Sequence, residues 1–274
     1  MPIIETEFGA VDFLEYGEGD DLVLLLHAAA TGAGSLAKLG QRLAQLTGAR
    51  VVVPALSGYG ESRVSGVENP IAGHLAIAGW ALNLRPAARR FVFGQSMGGL
   101  IALRLAGLED GGLAGLALYE PMVFDALDPN DDQDMAWRKW DRDLVETMKR
   151  ALGTSEFEVA VSAFIEAWNE APWHLLPEPA KREILKDPER LVAETMSVNV
   201  GGLDLDAIDC PLLLLGGGQS PELASRIIER LAQRFLKTVR RRFEGFGHMG
   251  PVRHPETIAR CLCELWGLTA DGGK

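Results

Sequence analysis

Short, continuous apolar runs recur along the chain and are separated by segments with helical periodicity. The clearest runs lie at residues 21–26, 50–54, 91–93, 113–119 and 212–215. Such runs are typical of strands that are covered on both faces. Because they alternate with helical segments, the pattern predicts an α/β fold with a doubly wound, mostly parallel sheet.

The two ends of the chain add further strands. Residues 3–8 and 11–16 read as two strands joined by a turn at Gly9, and residues 238–243 read as a last, edge strand. Together with the apolar runs they predict an eight-stranded sheet. The intervening helices are predicted at residues 35–46, 70–84 and 221–235, with a terminal helix that begins at Pro255.

The alternation is interrupted between residues 122 and 202. This stretch is helical in character, is acidic at its start, and contains four of the six tryptophans. Ser155 and Glu158 have the spacing of a capping box, which predicts a helix start there. We therefore predict a core formed by residues 1–121 and 203–274, with residues 122–202 inserted after the sixth strand as a helical lid, or cap domain.

Composition narrows the class of protein. The apolar fraction of 47% is ample for a core, and no uncharged apolar run approaches the length of about 18 residues that indicates a membrane span. The net charge of −11 argues against nucleic acid or an anionic membrane as a partner. Three cysteines without disulfide or zinc spacing, and a start without signal-peptide character, favour a cytoplasmic protein.

A glycine-flanked serine follows the run at residues 91–93. The sequence Gly94-Gln95-Ser96-Met97-Gly98 has the G-x-S-x-G pattern between a strand and a helix, which is the setting of a nucleophile elbow. Ser96 is therefore the predicted nucleophile. The backbone N–H of Met97, at the start of the following helix, is a predicted donor to an oxyanion.

The chain resembles the α/β-hydrolase superfamily over nearly its whole length. The resemblance rests on the His27 loop, the stretch 54–60, the elbow and the stretch Gly247-His248-Met249-Gly250-Pro251. The stretch 164–169, together with Trp173, is similar to the lid of lidded bacterial members. Two residues depart from the usual pattern: Ala28 replaces a glycine, and Ala55 replaces a common aspartate.

The resemblance implies roles for further residues. His248 matches the superfamily's general base, and Ala29 matches the residue whose N–H is the second oxyanion donor. Ser220 stands where an aspartate usually completes the triad. A branch of the superfamily places a glutamate one strand earlier, and Glu120 matches it. Glu222 is kept as the reserve candidate.

These residues predict a serine hydrolase that cleaves a small, apolar carboxylic ester through an acyl-enzyme. Thioesters, lactones and the carbon–carbon bond of a diketone remain alternatives with the same triad, and a ligand-binding receptor on this fold is the non-enzymatic alternative. A substrate pocket is predicted at four tryptophans: Trp137, Trp140, Trp168 and Trp173. No cofactor and no metal is expected, because there is no ligand cluster and residues 216–218 lack the G-K-[ST] ending of a phosphate loop. The expected partner is a small-molecule substrate.

Overall fold

One central sheet organises the molecule. The computed structural model describes residues 2–108, 112–169, 171–198, 202–235 and 237–268. Within these ranges the strands are β1 (Ile3–Thr6), β2 (Gly9–Tyr16), β3 (Leu22–Leu26), β4 (Arg50–Pro54), β5 (Arg63–Val64), β6 (Arg90–Gln95), β7 (Gly115–Tyr119), β8 (Leu212–Gly217) and β9 (Thr238–Phe243).

The strands lie in the order β1-β2-β4-β3-β6-β7-β8-β9, and β5 pairs with β2. Every pairing from β4 to β9 along this order is parallel, whereas β2 pairs antiparallel with β1, β4 and β5. The predicted doubly wound, mostly parallel sheet is therefore confirmed. The count differs by β5, whose two residues are too few to carry a periodicity in the sequence.

Helices cover both faces of the sheet. They are α1 (Ala37–Thr47), α2 (Pro70–Asn83), α3 (Met97–Leu108), α4 (Asp132–Ala151), α5 (Phe157–Trp168), α6 (Glu178–Leu185), α7 (Pro188–Ser197), α8 (Glu222–Arg234), α9 (Gly250–Arg253) and α10 (Pro255–Trp266). Helix α1 packs against α10, and α2 packs against α3. All residues of β3, β4, β7 and β8 are buried, as their continuous apolar sequences predict.

Helix starts follow local sequence chemistry in some places and not in others. Asn69 caps α2 by accepting the Ala72 N–H at 3.0 Å, and Pro70 occupies the first turn, where its missing N–H costs nothing. The capping box predicted at Ser155 and Glu158 is wrong, because α5 begins at Phe157 without a side-chain cap. Glu158 instead accepts a hydrogen bond from the Trp173 indole at 3.2 Å.

Helices α4 to α7 lie between β7 and β8 along the chain, within what we call the inserted segment (residues 122–202). Their buried side chains, together with Ala30 of the loop after β3, form a second hydrophobic cluster, which includes Val145, Met148, Phe157 and Leu191. Among the described residues, no helix combines the length and the apolarity that crossing a membrane would require.

Candidate active site

Ser96 lies in the turn between β6 and α3 with a backbone φ of 55°. This left-handed conformation is unusual for a residue with a side chain, and it is the strained geometry expected of a nucleophile elbow. Glycines make the turn possible. A Cβ on Gly94 would lie 2.3 Å from the Gly98 carbonyl oxygen, and one on Gly98 would lie 2.2 Å from the Leu26 carbonyl oxygen.

Backbone hydrogen bonds fix the elbow to the next strand. The Ser96 N–H donates to the Tyr119 carbonyl at 3.0 Å, and the Met122 N–H donates to the Ser96 carbonyl at 3.1 Å. Gln95 Nε2 donates to the His248 carbonyl at 2.8 Å, so the elbow also holds the histidine loop. Nothing in the local sequence pointed to this role for Gln95, because its partner lies far along the chain.

The structure brings Glu120 and His248 together. Glu120 Oε2 lies 2.8 Å from His248 Nδ1, and both side chains are buried. Glu120 follows β7 directly and has a positive φ of 45°. A carboxylate accepts hydrogen bonds only, so Nδ1 carries the proton and Nε2 is left as the basic atom.

The second carboxylate oxygen of Glu120 is held by the neighbouring strand. Glu120 Oε1 accepts the Gly217 N–H and the Ser220 hydroxyl, each at 2.6 Å. Ser220, which stands where an aspartate is usual in the family, therefore orients the glutamate that lies one strand away. Hydrogen bonds to an ionised carboxylate are among the stronger ones in proteins, and these two fix its rotamer.

Glu222 is directed elsewhere. It is the first residue of α8, its side chain is exposed, and its Oε1 accepts a hydrogen bond from Gln133 at 2.7 Å. An acid in the first turn of a helix interacts favourably with the helix dipole.

A cavity of about 270 Å³ lies over Ser96 and His248. More than half of its lining residues belong to the inserted segment, and most of its wall is apolar. Apolar side chains on this wall include Met122, Val145, Phe164, Ile165, Ile184 and Val198. A space of this size and polarity suits a small organic molecule.

The Ser96 hydroxyl has no hydrogen-bond partner within the described ranges, and catalytic contacts often tighten only when substrate is bound.

Ala29 and Met97, the predicted oxyanion donors, both lie on the cavity wall. Over the described residues, neither N–H donates a hydrogen bond to another protein atom. The next amide, that of Ala30, is already engaged: it donates to the Tyr59 hydroxyl at 2.7 Å.

Of the four predicted pocket tryptophans, the structure places Trp168 alone on the cavity wall. Its ring centroid is 5.2 Å from that of His248, and its Nε1 donates to Asp141 Oδ1 at 3.2 Å. Trp140 packs 5.7 Å from Trp168, and Trp137 packs 5.5 Å from Trp140, so these two support the wall from behind. Trp173 is buried in the second hydrophobic cluster.

His27 joins two loops beneath the cavity. Its Nε2 accepts the Leu56 N–H at 3.1 Å, so its Nδ1 is the atom that donates to the Ala28 carbonyl at 2.8 Å. Burial lowers the pKa of His27 to about 3, and the ring is therefore neutral at physiological pH. Within the part of the chain that is described, no group of three or more His, Cys, Asp or Glu side chains is placed to hold a metal ion.

Comparison with known proteins gives the family. Residues 21–255 match the family model described as the α/β hydrolase fold. The chain belongs to this family. A comparison with curated protein sequences found no match.

Solved structures with the same fold include several hydrolases. A hydrolase from Pseudomonas aeruginosa is 17% identical with a TM-score of 0.77, and the alignment covers 97% of this chain and 98% of that one. An esterase from Exiguobacterium antarcticum is also 17% identical, with a TM-score of 0.76 and the same coverage. A thermophilic esterase from Thermogutta terrifontis is 23% identical with a TM-score of 0.69, covering 96% of this chain and 97% of that one. At these identities the similarity establishes the fold alone.

Proposed function

We propose that this α/β hydrolase is a serine hydrolase that cleaves a small, apolar carboxylic ester. The observation that carries the proposal is the buried contact between Glu120 and His248, at 2.8 Å, beside an elbow serine that opens on the same cavity. Esterases among the structural neighbours support the choice of an ester.

In the proposed mechanism the Ser96 hydroxyl attacks the ester carbonyl and its proton passes to His248 Nε2. Glu120 holds the imidazole in the required tautomer and stabilises the imidazolium that forms. The N–H groups of Ala29 and Met97 bind the oxyanion of the tetrahedral intermediate. His248 returns the proton to the leaving alkoxide, which departs as an alcohol. Water activated by the same histidine then attacks the acyl-enzyme, and breaking the Ser96 ester bond releases the acid.

The inserted segment is proposed to act as the lid that selects the substrate. Phe164, Ile165 and Trp168 of α5, Ile184 of α6 and Thr195 of α7 all lie on the cavity wall. Because this wall is mainly apolar, hydrophobic contact with an acyl or alkyl chain would provide most of the binding free energy.

The test is turnover of nitrophenyl esters with acyl chains from two to ten carbons. We expect saturable hydrolysis with a preference for some chain lengths, and loss of at least about 10³-fold of kcat in Ser96→Ala. Parallel assays with nitrophenyl thioesters, lactones and a diketone would compare kcat/KM for the alternative bonds. A protein that binds esters without turning them over, or a Ser96→Ala variant with full activity, would contradict the proposal.

A further inference from the structure

A fully buried carboxylate lies at the boundary between the inserted segment and the core. Glu194 of α7 has no solvent exposure, although it also borders the cavity. Its Oε2 accepts a hydrogen bond of 2.6 Å from the hydroxyl of Tyr59, which lies in the loop after β4 and is 1% exposed. A buried carboxylate is destabilising unless it is paired and hydrogen-bonded.

A histidine, an arginine and a tyrosine surround this carboxylate. His74 Nε2 lies 3.3 Å from Glu194 Oε1, and Arg190 Nε lies 3.6 Å from the same oxygen. The Arg190 guanidinium carbon is 3.8 Å from the centroid of the Tyr59 ring, and Arg190 also donates to the Gly58 carbonyl. The position of Tyr59 is thus fixed from α7 on two sides, by the carboxylate and by the guanidinium.

The Tyr59 hydroxyl links this cluster to the loop after β3. Its single proton points to Glu194, since a carboxylate can only accept, and its oxygen accepts the Ala30 N–H at 2.7 Å. Burial and the nearby Glu194 charge raise the pKa of Tyr59 well above its ordinary value, so the hydroxyl keeps its proton.

Ala30 needs such a restraint. Its φ of 63° lies in the left-handed region, which is unfavourable for alanine and persists only where surrounding contacts hold it. Ala29, the proposed oxyanion donor, is the residue immediately before it. The direction of the Ala29 N–H therefore depends on a backbone conformation that the Tyr59 hydroxyl fixes.

We propose that Tyr59 and Glu194 are positioning residues of the oxyanion loop. Glu194 holds the Tyr59 hydroxyl, the hydroxyl holds the Ala30 amide, and the Ala29 N–H is thereby aimed into the cavity. The inserted segment would then do more than line the pocket, because docking of α7 would complete the oxyanion site of the core. This inference rests on the proposed serine-hydrolase function.

The decisive variant is Tyr59→Phe, which removes one oxygen and keeps the ring. Tyr16→Phe, a change of the same kind on β2, is the matched control. We expect kcat on a nitrophenyl ester to fall about 10- to 100-fold with little change in KM, since an oxyanion donor acts in the transition state and misplacement is costly. The affinity for a trifluoromethyl ketone transition-state analogue should fall by the same factor.

Glu194 gives an independent check. Glu194→Gln keeps a carbonyl that can accept from Tyr59 and should retain more kcat than Glu194→Met, which removes both oxygens. Glu194→Met should lower kcat by a smaller factor in the Tyr59→Phe variant than in wild type, because both changes break the same chain of hydrogen bonds. Thermal unfolding of each variant establishes that the fold is retained.

The inference is overturned if wild type turns over esters while Tyr59→Phe keeps kcat within about threefold of Tyr16→Phe. It is equally overturned if Tyr59→Phe raises KM without lowering kcat, or if the affinity for the trifluoromethyl ketone does not fall together with kcat. These results would leave Ser96 chemistry intact and make the cluster a purely structural tie. A wild-type protein without any ester turnover would instead remove the proposed function, and this inference with it.

Discussion

The two carboxylate oxygens of Glu120 have different partners. Oε2 contacts His248 Nδ1, and Oε1 is held by Gly217 and Ser220 from the next strand. An aspartate at position 120 would be one methylene shorter, and an aspartate at position 220 would face Glu120 as a like charge. A serine at position 220 is therefore compatible with Glu120, the residue after β7, as the proposed triad acid.

The negative charge of Glu120 should be essential for turnover. Glu120→Gln keeps the shape but allows the wrong imidazole tautomer, and we expect kcat to fall on the order of 10⁴-fold, as in the serine-protease template. Glu222→Gln is the control, because that carboxylate contacts Gln133 on the surface. Steady-state kinetics of both variants is the measurement. Near-normal kcat in Glu120→Gln combined with a collapse in Glu222→Gln would reverse the assignment.

Among the helices, ion pairs between α4 and α8 connect the inserted segment to the core. Asp134 on α4 is fully buried and accepts from Arg226 and Arg230 of α8, at 2.5 and 2.7 Å. Asp131, the N-cap of α4, lies 3.0 and 2.7 Å from the same two guanidinium groups. The Asp134 N–H and the two arginines lower the pKa of Asp131. The stabilisation by Asp131 is therefore present above its unfolded-state pKa and is lost as pH falls through the lower folded-state value.

Asp134→Asn should break this arrangement and leave two guanidinium groups with one carboxylate between them. We expect a loss of about 3–5 kcal/mol in the free energy of unfolding, the usual cost of removing one partner of a buried ion pair. Asp132→Asn, an exposed change in the same helical turn, should cost far less. Urea unfolding monitored by tryptophan fluorescence would measure both. Equal stability of the two variants would show that the ion pairs do not anchor α4.

The elements that can be predicted from the sequence are those whose signal is local. The strands at residues 22–26 and 50–54 were predictable because burial on both faces demands an uninterrupted apolar run. The hydrogen bonds of Ser220, Tyr59 and Glu194 could not be predicted. Each joins residues that are far apart in the chain and produces no periodic pattern in the sequence. The capping box at Ser155 failed for a related reason: Trp173, a tertiary partner, takes the Glu158 carboxylate.

For the whole molecule, the cavity is the feature that joins the inserted segment to the core. The core contributes Ser96, His248 and the Ala28–Ala30 loop, whereas the inserted segment contributes most of the apolar wall. The proposed reacting groups and the proposed substrate-selecting surface thus come from different parts of the chain. Substrate preference should therefore be separable from the chemistry by mutation.

Trp168→Ala tests this separation. Because Trp168 lines the cavity and Trp173 does not, we expect Trp168→Ala to change the ratio of kcat/KM between short and long acyl esters by about 10- to 200-fold. Trp173→Ala should lower stability and leave that ratio unchanged. Using a ratio cancels any uniform effect of losing the contact between Trp168 and His248. An unchanged ratio in Trp168→Ala would show that this side chain does not select the substrate.

Covalent labelling would establish whether Ser96 is the activated nucleophile that we propose. The protein would be incubated with a fluorophosphonate, weighed intact by mass spectrometry and mapped by peptide sequencing. We expect one adduct per chain, located on Ser96, with no adduct in Ser96→Ala and much slower labelling in Glu120→Gln. An adduct on another residue, or equal labelling of Ser96→Ala, would show that Ser96 is not the nucleophile.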